Sequence, residues 1–175
     1  MKVKEALLVI DAQVDYLSYG KFPLWNMDKI LKNIETAIRR ANKNKIPVIL
    51  TQHISQPDEH SKNYPFIAGT HGGEIVSEVL DLIENPVIVT KEFRNAFFQT
   101  TLDEILSDLE ITNLIIIGMM THSCVVATIT SEPAQKYHIS VISNCCTAMT
   151  EEIHLDGLQQ IKDLGNIDII LLNEF

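Results

Sequence analysis

Six short apolar runs constrain the fold of this chain more than any other feature of its sequence. They are rich in valine and isoleucine, and polar residues do not alternate through them. The runs cover residues 6–10, 47–50, 87–89, 114–117, 139–142 and 167–172. A strand with one face in water would alternate apolar and polar side chains, so these runs predict strands buried on both faces. This pattern is typical of a parallel sheet covered by helices.

Segments with helical periodicity lie between the runs. They cover residues 28–44, 74–84, 101–110 and 151–164. A less regular helix begins near Cys124, and Pro133 should kink or end it. The alternation predicts an open, doubly wound α/β fold, with a mostly parallel six-stranded sheet and helices on both faces. This is a Rossmann-like three-layer sandwich. The length of 175 residues predicts a single domain over 1–175.

Charge and composition exclude several classes of function. The net charge is −9 and basic residues do not cluster, so we expect no nucleic-acid partner. The apolar runs are far shorter than the ~20 residues of a membrane span, so we expect no membrane partner. The first residues do not resemble a signal peptide, and three cysteines form no disulfide framework, which predicts a cytoplasmic protein. The motifs G-x-G-x-x-G, G-x-x-x-x-G-K-[ST] and G-x-S-x-G do not occur, which weighs against nucleotide binding and serine-hydrolase chemistry.

Chemically useful side chains follow three of the predicted strands. Asp11 follows the first strand, Lys91 follows the third, and Cys124 stands shortly after the fourth. Functional groups gather at the carboxyl ends of the strands in open α/β sheets. Asp11 and Lys91 could form a buried ion pair and nothing more, but a nearby thiol would complete a set of nucleophile, proton acceptor and cation. A thiol at the beginning of a helix favours the thiolate form, and the alternative is a buried, inert cysteine.

Three motifs occur in order along nearly the whole chain. They are Leu8-Val-Ile-Asp11-Ala-Gln13, then Lys91 with Ala96-Phe97 and Thr100-Thr-Leu102, then Gly118-Met-Met-Thr121-His-Ser-Cys124-Val. With these motifs the chain resembles the isochorismatase-like cysteine hydrolases, a superfamily that includes nicotinamidases and other small-molecule amidohydrolases. The resemblance implies a catalytic triad of Asp11, Lys91 and Cys124. It also implies a cis peptide bond between Met119 and Met120, and an oxyanion hole formed by the backbone amides of Met120 and Cys124.

Four further residues are candidates for contact with the substrate, namely Gln13, Trp25, Phe66 and His122. Gln13 could bind the substrate or hold a loop, and His122 could face the pocket or a subunit boundary. The long irregular segment 53–73 leaves the second strand at its carboxyl end, and we interpret it as a lid.

The segment after the second strand differs from the metal site of nicotinamidases. That site is built from an aspartate and at least two histidines, whereas Thr51 stands here at the position of the aspartate. His60 and His71 lie in the following loop and could join His53 in binding zinc. Because the carboxylate is missing and the spacing is loose, we expect no metal and no other cofactor.

The preferred function is a cysteine hydrolase that cleaves a C–N amide bond in a small, non-peptide molecule through a thioester on Cys124. One alternative is an isochorismatase, which cleaves a vinyl ether. The other is a non-catalytic α/β binding or assembly protein on the same scaffold. The resemblance also predicts a homodimer or homotetramer.

Overall fold

A six-stranded, entirely parallel sheet forms the centre of the molecule, with the strand order β3-β2-β1-β4-β5-β6. The computed structural model describes residues 3–56 and 64–175. The strands are β1 (Glu5–Ile10), β2 (Val48–His53), β3 (Val87–Lys91), β4 (Asn113–Met119), β5 (His138–Thr147) and β6 (Asp168–Ile170). Each predicted run therefore contributes a strand, and the predicted doubly wound α/β fold is confirmed.

Helices cover both faces of the sheet. They are α1 (Met27–Lys43), α2 (Ser77–Leu80), α3 (Leu102–Asp108), α4 (Val126–Ile129) and α5 (Glu151–Asp163). The side chains of α1 and α2 pack in one apolar cluster, and those of α3, α4 and α5 pack in a second cluster on the other face. Within the described ranges, every helix is too short or too polar to cross a membrane.

Strand β1 lies at the centre of the sheet and contributes side chains to both clusters. Leu7 and Val9 point to the cluster of α1, whereas Leu8 and Ile10 point to the opposite cluster. All four side chains are completely buried. Successive side chains of a strand point to opposite faces, so a strand between two helical layers must be apolar at every position. This explains why the runs show no polar alternation.

Two of the predicted helices are shorter than expected. The predicted helix 74–84 is helical only over Ser77–Leu80. Its first residues are extended, because Ile75 pairs with Gln13 and the N–H of Val76 donates to the carbonyl of Ala12. Near Cys124 the chain forms a π-helical turn, Thr121–Val125, and α4 then adds only four residues before it ends ahead of Pro133.

In open α/β sheets the functional crevice lies where connections on the two sides of the sheet diverge, which here is at the carboxyl ends of β1 and β4. The chain leaves β1 toward β2 and returns through β4 on the other side, which makes this point the topological switch of the sheet. Gly118 allows the two strands to approach here. Its φ is +119°, and a Cβ atom on it would lie 2.1 Å from the carbonyl oxygen of Ile10. Asp11 follows directly.

Candidate active site

The carboxylate of Asp11 and the ammonium of Lys91 form an ion pair at this crevice. Oδ2 of Asp11 lies 2.7 Å from Nζ of Lys91, and both side chains are fully buried. Asp11 follows β1 with φ 52°, a left-handed conformation that aspartate adopts more readily than most residues. Lys91 is the last residue of β3, two strands away. The predicted pairing of Asp11 with Lys91 is therefore present.

Cys124 is the third member of the group. Its Sγ lies 3.6 Å from Nζ of Lys91, and the residue is 6% exposed. Lys91 also donates to the carbonyl of Phe93 at 3.1 Å and contacts Nδ1 of His53 at 3.3 Å. The ammonium thus binds directly to the acid and to the thiol, and two further acceptors fix its position.

The electrostatics of Cys124 differ from the sequence-based expectation of a thiolate. Burial, followed by the negative charge of Asp11, raises the pKa of the Cys124 thiol to about 12, and Lys91 only partly opposes this rise. The helix expected to begin near Cys124 is instead a π-helical turn, Thr121–Val125, that contains Cys124 and continues directly into α4. Burial and the charge of Asp11 therefore favour the protonated form of the Cys124 thiol.

A carboxylate oxygen is available to take that proton. Oδ2 of Asp11 accepts no hydrogen bond from any described residue, because its short contact with Lys91 lacks hydrogen-bond geometry. The proximity of the Asp11 carboxylate to the thiol is the second cause, after burial, of the raised pKa of Cys124. The other oxygen, Oδ1, accepts a hydrogen bond from the hydroxyl of Thr51 at 2.6 Å.

The turn before Cys124 contains the cis peptide bond Met119–Met120, as expected. The carbonyl of Met120 accepts hydrogen bonds from the amides of Ser123 and Val125, at 3.0 and 3.2 Å. These bonds hold the π-helical turn on which Cys124 stands.

Thr121, part of the third sequence motif, and His154, which sequence reasoning missed, are hydrogen-bonded to each other and support this turn. The hydroxyl of Thr121 lies 3.0 Å from the carbonyl of Thr147 and 2.8 Å from Nδ1 of His154. His154 comes from α5 and is 6% exposed. The sequence signal that could have identified His154 was its position as a polar residue on the apolar side of the predicted helix 151–164.

Gln13 is fully engaged with backbone groups. Its amide nitrogen donates to the carbonyls of His53 and Gly73, at 2.8 and 2.9 Å, and its amide oxygen accepts from the N–H of His53 at 2.8 Å. These contacts favour the loop-holding alternative for Gln13, so the structure does not support its assignment to substrate binding.

Phe66 belongs to an aromatic group next to His53, the histidine that contacts Lys91. Its ring packs on Tyr16 with centroids 4.7 Å apart and meets the edge of His53 at 5.7 Å. The buried carboxylate of Asp15 fixes this loop by accepting a hydrogen bond from the amide of Phe66 at 2.7 Å. Tyr16, which the sequence did not single out, faces the site. Burial, with Asp11 and Cys124 nearby, raises the pKa of its phenol well above the usual value.

His122 is half-buried at the turn before Cys124. Burial lowers the pKa of its imidazole, and Arg94 lowers it further, so the ring is neutral near pH 7. Its Nδ1 atom is buried and has no hydrogen-bond partner among the described residues.

Trp25 does not join the group directly. Its ring lies against His154 at 5.8 Å and lines a cavity of about 180 Å³ whose lining excludes Asp11, Lys91 and Cys124. Contact between Trp25 and a substrate stays a prediction.

The histidines of the suggested metal site lie in different environments. His53 is next to Lys91, and burial together with that cation lowers the pKa of its imidazole. His71 is exposed and pairs with Glu74 at 2.6 Å. His60 lies outside the described residues. Over residues 3–56 and 64–175, no three His, Cys, Asp or Glu side chains are grouped so that they could hold a metal ion.

The fold and this site define an α/β protein with a buried aspartate–lysine–cysteine group at the switch point of a parallel sheet. The sequence model of the Isochorismatase family, described as the Isochorismatase domain, matches residues 5–170. The chain therefore belongs to the isochorismatase family, and the resemblance inferred from its motifs is confirmed.

Several relatives are similar over most of their length. An uncharacterized isochorismatase family protein, YddQ of Bacillus subtilis, is 34% identical, and the match covers 85% of this chain and 80% of YddQ. A probable inactive nicotinamidase of Arabidopsis thaliana, At3g16190, is 30% identical, with coverage of 91% and 89%. Among solved structures, the pyrazinamidase of Pyrococcus horikoshii in complex with zinc superposes with a TM-score of 0.84 and 25% identity, covering 96% of this chain and 99% of that one.

Proposed function

We propose that this protein is a cysteine hydrolase that cleaves a C–N amide bond in a small, non-peptide molecule. The observation that carries the proposal is the position of Nζ of Lys91, which lies 2.7 Å from Asp11 and 3.6 Å from the sulfur of Cys124 inside a buried site. Such a group provides a nucleophile, a proton acceptor and a fixed cation. The similarity to a pyrazinamidase supports amide chemistry.

The first half of the reaction forms a thioester. Asp11 takes the proton of the Cys124 thiol on Oδ2 while the sulfur attacks the carbonyl carbon of the amide. The high pKa of the thiol requires this transfer to accompany the attack, because a free thiolate is scarce near pH 7. Lys91 stabilises the negative charge that develops on the sulfur as the thiol loses its proton. The C–N bond then breaks, and Asp11 returns the proton to the departing amine.

The second half regenerates the enzyme. Asp11 removes a proton from water, and the resulting hydroxide attacks the thioester carbon. The bond between sulfur and carbon breaks, the carboxylic acid leaves, and Cys124 regains a proton from Asp11. One water molecule is consumed and one amine is released, so atoms and charges balance.

The backbone amides of Met120 and Cys124 are proposed as the oxyanion hole. Both belong to the turn that carries the nucleophile, and that turn is held by hydrogen bonds to the carbonyl of Met120. Donors fixed in this way stabilise the tetrahedral intermediate, and the loss of one such donor would slow the reaction by about a hundredfold or more.

His122 and Phe66 are proposed to contact the substrate. The unpartnered Nδ1 of His122 can hydrogen-bond a polar group of the substrate, and Phe66, which packs against His53 next to Lys91, supplies an apolar wall. We also propose a small-molecule substrate, a homodimer or homotetramer, a cytoplasmic location and catalysis without a cofactor.

An ammonia-release screen tests the proposal. The purified protein is incubated with nicotinamide, ureido compounds and simple amides, and ammonia is measured for the wild type, for Cys124→Ala and for Cys145→Ala. Cys145 is a matched control, because it is also a free and fully buried thiol. We expect release by the wild type and by Cys145→Ala and none by Cys124→Ala. Release that survives in Cys124→Ala would overturn the proposal.

Two other results would favour the alternatives. Cleavage of isochorismate without release of ammonia from any amide would indicate vinyl ether hydrolysis. Failure of every compound would favour a non-catalytic protein, as the name of the Arabidopsis relative suggests for that protein.

A further inference from the structure

We propose that Thr51 is a positioning residue that holds the plane of the Asp11 carboxylate, so that the oxygen opposite Thr51 stays directed at Lys91 and can receive a proton. Thr51 ends the buried part of β2, next to β1 in the sheet, and is 1% exposed. Its hydroxyl lies 2.6 Å from Oδ1 of Asp11. The inference rests on the proposed function, because it assigns a role within that reaction.

The direction of the hydrogen bonds follows from counting protons. A threonine hydroxyl has one proton to donate and lone pairs with which to accept. The N–H of Asp11 donates to the hydroxyl oxygen of Thr51 at 3.2 Å, and a carboxylate can only accept. The proton of the hydroxyl therefore points to Oδ1. The two bonds form a closed loop between the residues, and neither residue is accessible to competing water.

This loop fixes the carboxylate plane. Oδ1 is engaged by Thr51, so Oδ2 is the oxygen that faces Lys91 and has no hydrogen bond of its own. If the hydroxyl were absent, the carboxylate could turn about its last bond out of the plane in which one oxygen faces Lys91. Neutral valine in place of Thr51 would keep the shape but remove the donor. Serine would keep the donor.

The test uses p-nitrophenyl acetate, a general acyl donor, so it does not depend on the natural substrate. Attack by Cys124 releases nitrophenolate in a burst and leaves an acetyl thioester, which water then hydrolyses to acetate. The burst amplitude reports the folded, acylable fraction of the protein. The steady-state rate that follows reports hydrolysis of the thioester, for which Asp11 must activate water.

We expect Thr51→Val to keep the burst amplitude and to lower both the rate of the burst and the steady-state rate by about tenfold to a hundredfold, because Asp11 accepts a proton in both steps; this is the range for loss of a hydrogen bond to a charged group. Thr51→Ser should restore both rates to within about threefold of the wild type. A purely structural role would reduce the burst amplitude instead. If Thr51→Val does not fold, Thr51→Ala removes the same hydroxyl without adding a methyl group and takes its place.

Two outcomes overturn different statements. A normal steady-state rate in the variants without the hydroxyl, or an equal loss in Thr51→Ser, would overturn the role of Thr51 and leave the proposed function intact. Failure of the wild type to give a burst that Cys124→Ala abolishes would overturn the proposed function, and the inference with it.

Discussion

The negative charge of Asp11 should control the acidity of Cys124, and Asp11→Asn tests this directly. Nζ of Lys91 lies 2.7 Å from Oδ2 of Asp11 and 3.6 Å from the sulfur of Cys124. The carboxylate oxygen and the sulfur are therefore at most about 6.3 Å apart. With an effective dielectric constant of about 20, two negative charges at that separation repel by about 2.5 kcal/mol. The pKa of Cys124 should therefore fall by about two pH units when the carboxylate becomes a neutral amide.

The expected change in reactivity is smaller than the change in acidity. When the pKa of Cys124 falls by two, the fraction of thiolate near pH 7 rises about a hundredfold, but the less basic thiolate is about tenfold less nucleophilic. Asp11→Asn should therefore react with iodoacetamide about tenfold faster than the wild type near pH 7. Alkylation is measured by mass spectrometry of the peptide that contains Cys124, at several pH values. The same variant should lose amide hydrolysis, because it has no proton acceptor.

A surface variant provides the control for this experiment. Asp103→Asn removes a carboxylate from an exposed ion pair with Lys136, in which the charged atoms are 2.6 Å apart. It should alkylate at the wild-type rate, because Asp103 does not contribute to the pKa of Cys124. If Asp11→Asn reacted no faster than the wild type at any pH, the electrostatic reasoning would be refuted.

Three further predictions concern stability. Lys91→Met should lower the free energy of unfolding in urea by about 3–5 kcal/mol, because it leaves the buried charge of Asp11 without its partner; a decrease below about 1 kcal/mol would contradict this. Burial lowers the pKa of His154, so the folded protein binds fewer protons than the unfolded chain, and acidification below the usual histidine pKa should destabilise it. His154→Gln should make the melting temperature less dependent on pH between about 7.5 and 5.5, and an unchanged dependence would count against this explanation. Gly118→Ala should destabilise the fold far more than Gly165→Ala in thermal unfolding, since both have positive φ but only the first would meet backbone atoms; equal effects would show that conformation alone matters.

The layered fold and the family were readable from the sequence. Strands buried on both faces must be apolar throughout, so the runs revealed six strands and their parallel arrangement. Asp11, Lys91 and Cys124 were also identifiable, because charged or reactive groups directly after buried strands stand out against their surroundings. Short irregular elements were less predictable. The segment before α2 has helical periodicity, yet Ile75 and Val76 form extended contacts with the loop after β1.

Tertiary structure alone determined the chemistry of the individual groups. The sequence suggested a stabilised thiolate at Cys124. In the structure, burial and the charge of Asp11 raise the pKa of the thiol more than Lys91 lowers it. These effects depend on distances that no motif contains. In the same way, Thr51 looked like the loss of a metal ligand, whereas in the structure its hydroxyl donates a hydrogen bond to the carboxylate of Asp11. Sequence determined which elements form, because local periodicity encodes burial. Only the packing of distant strands determined which groups meet, and therefore which side chains can exchange protons or hydrogen bonds.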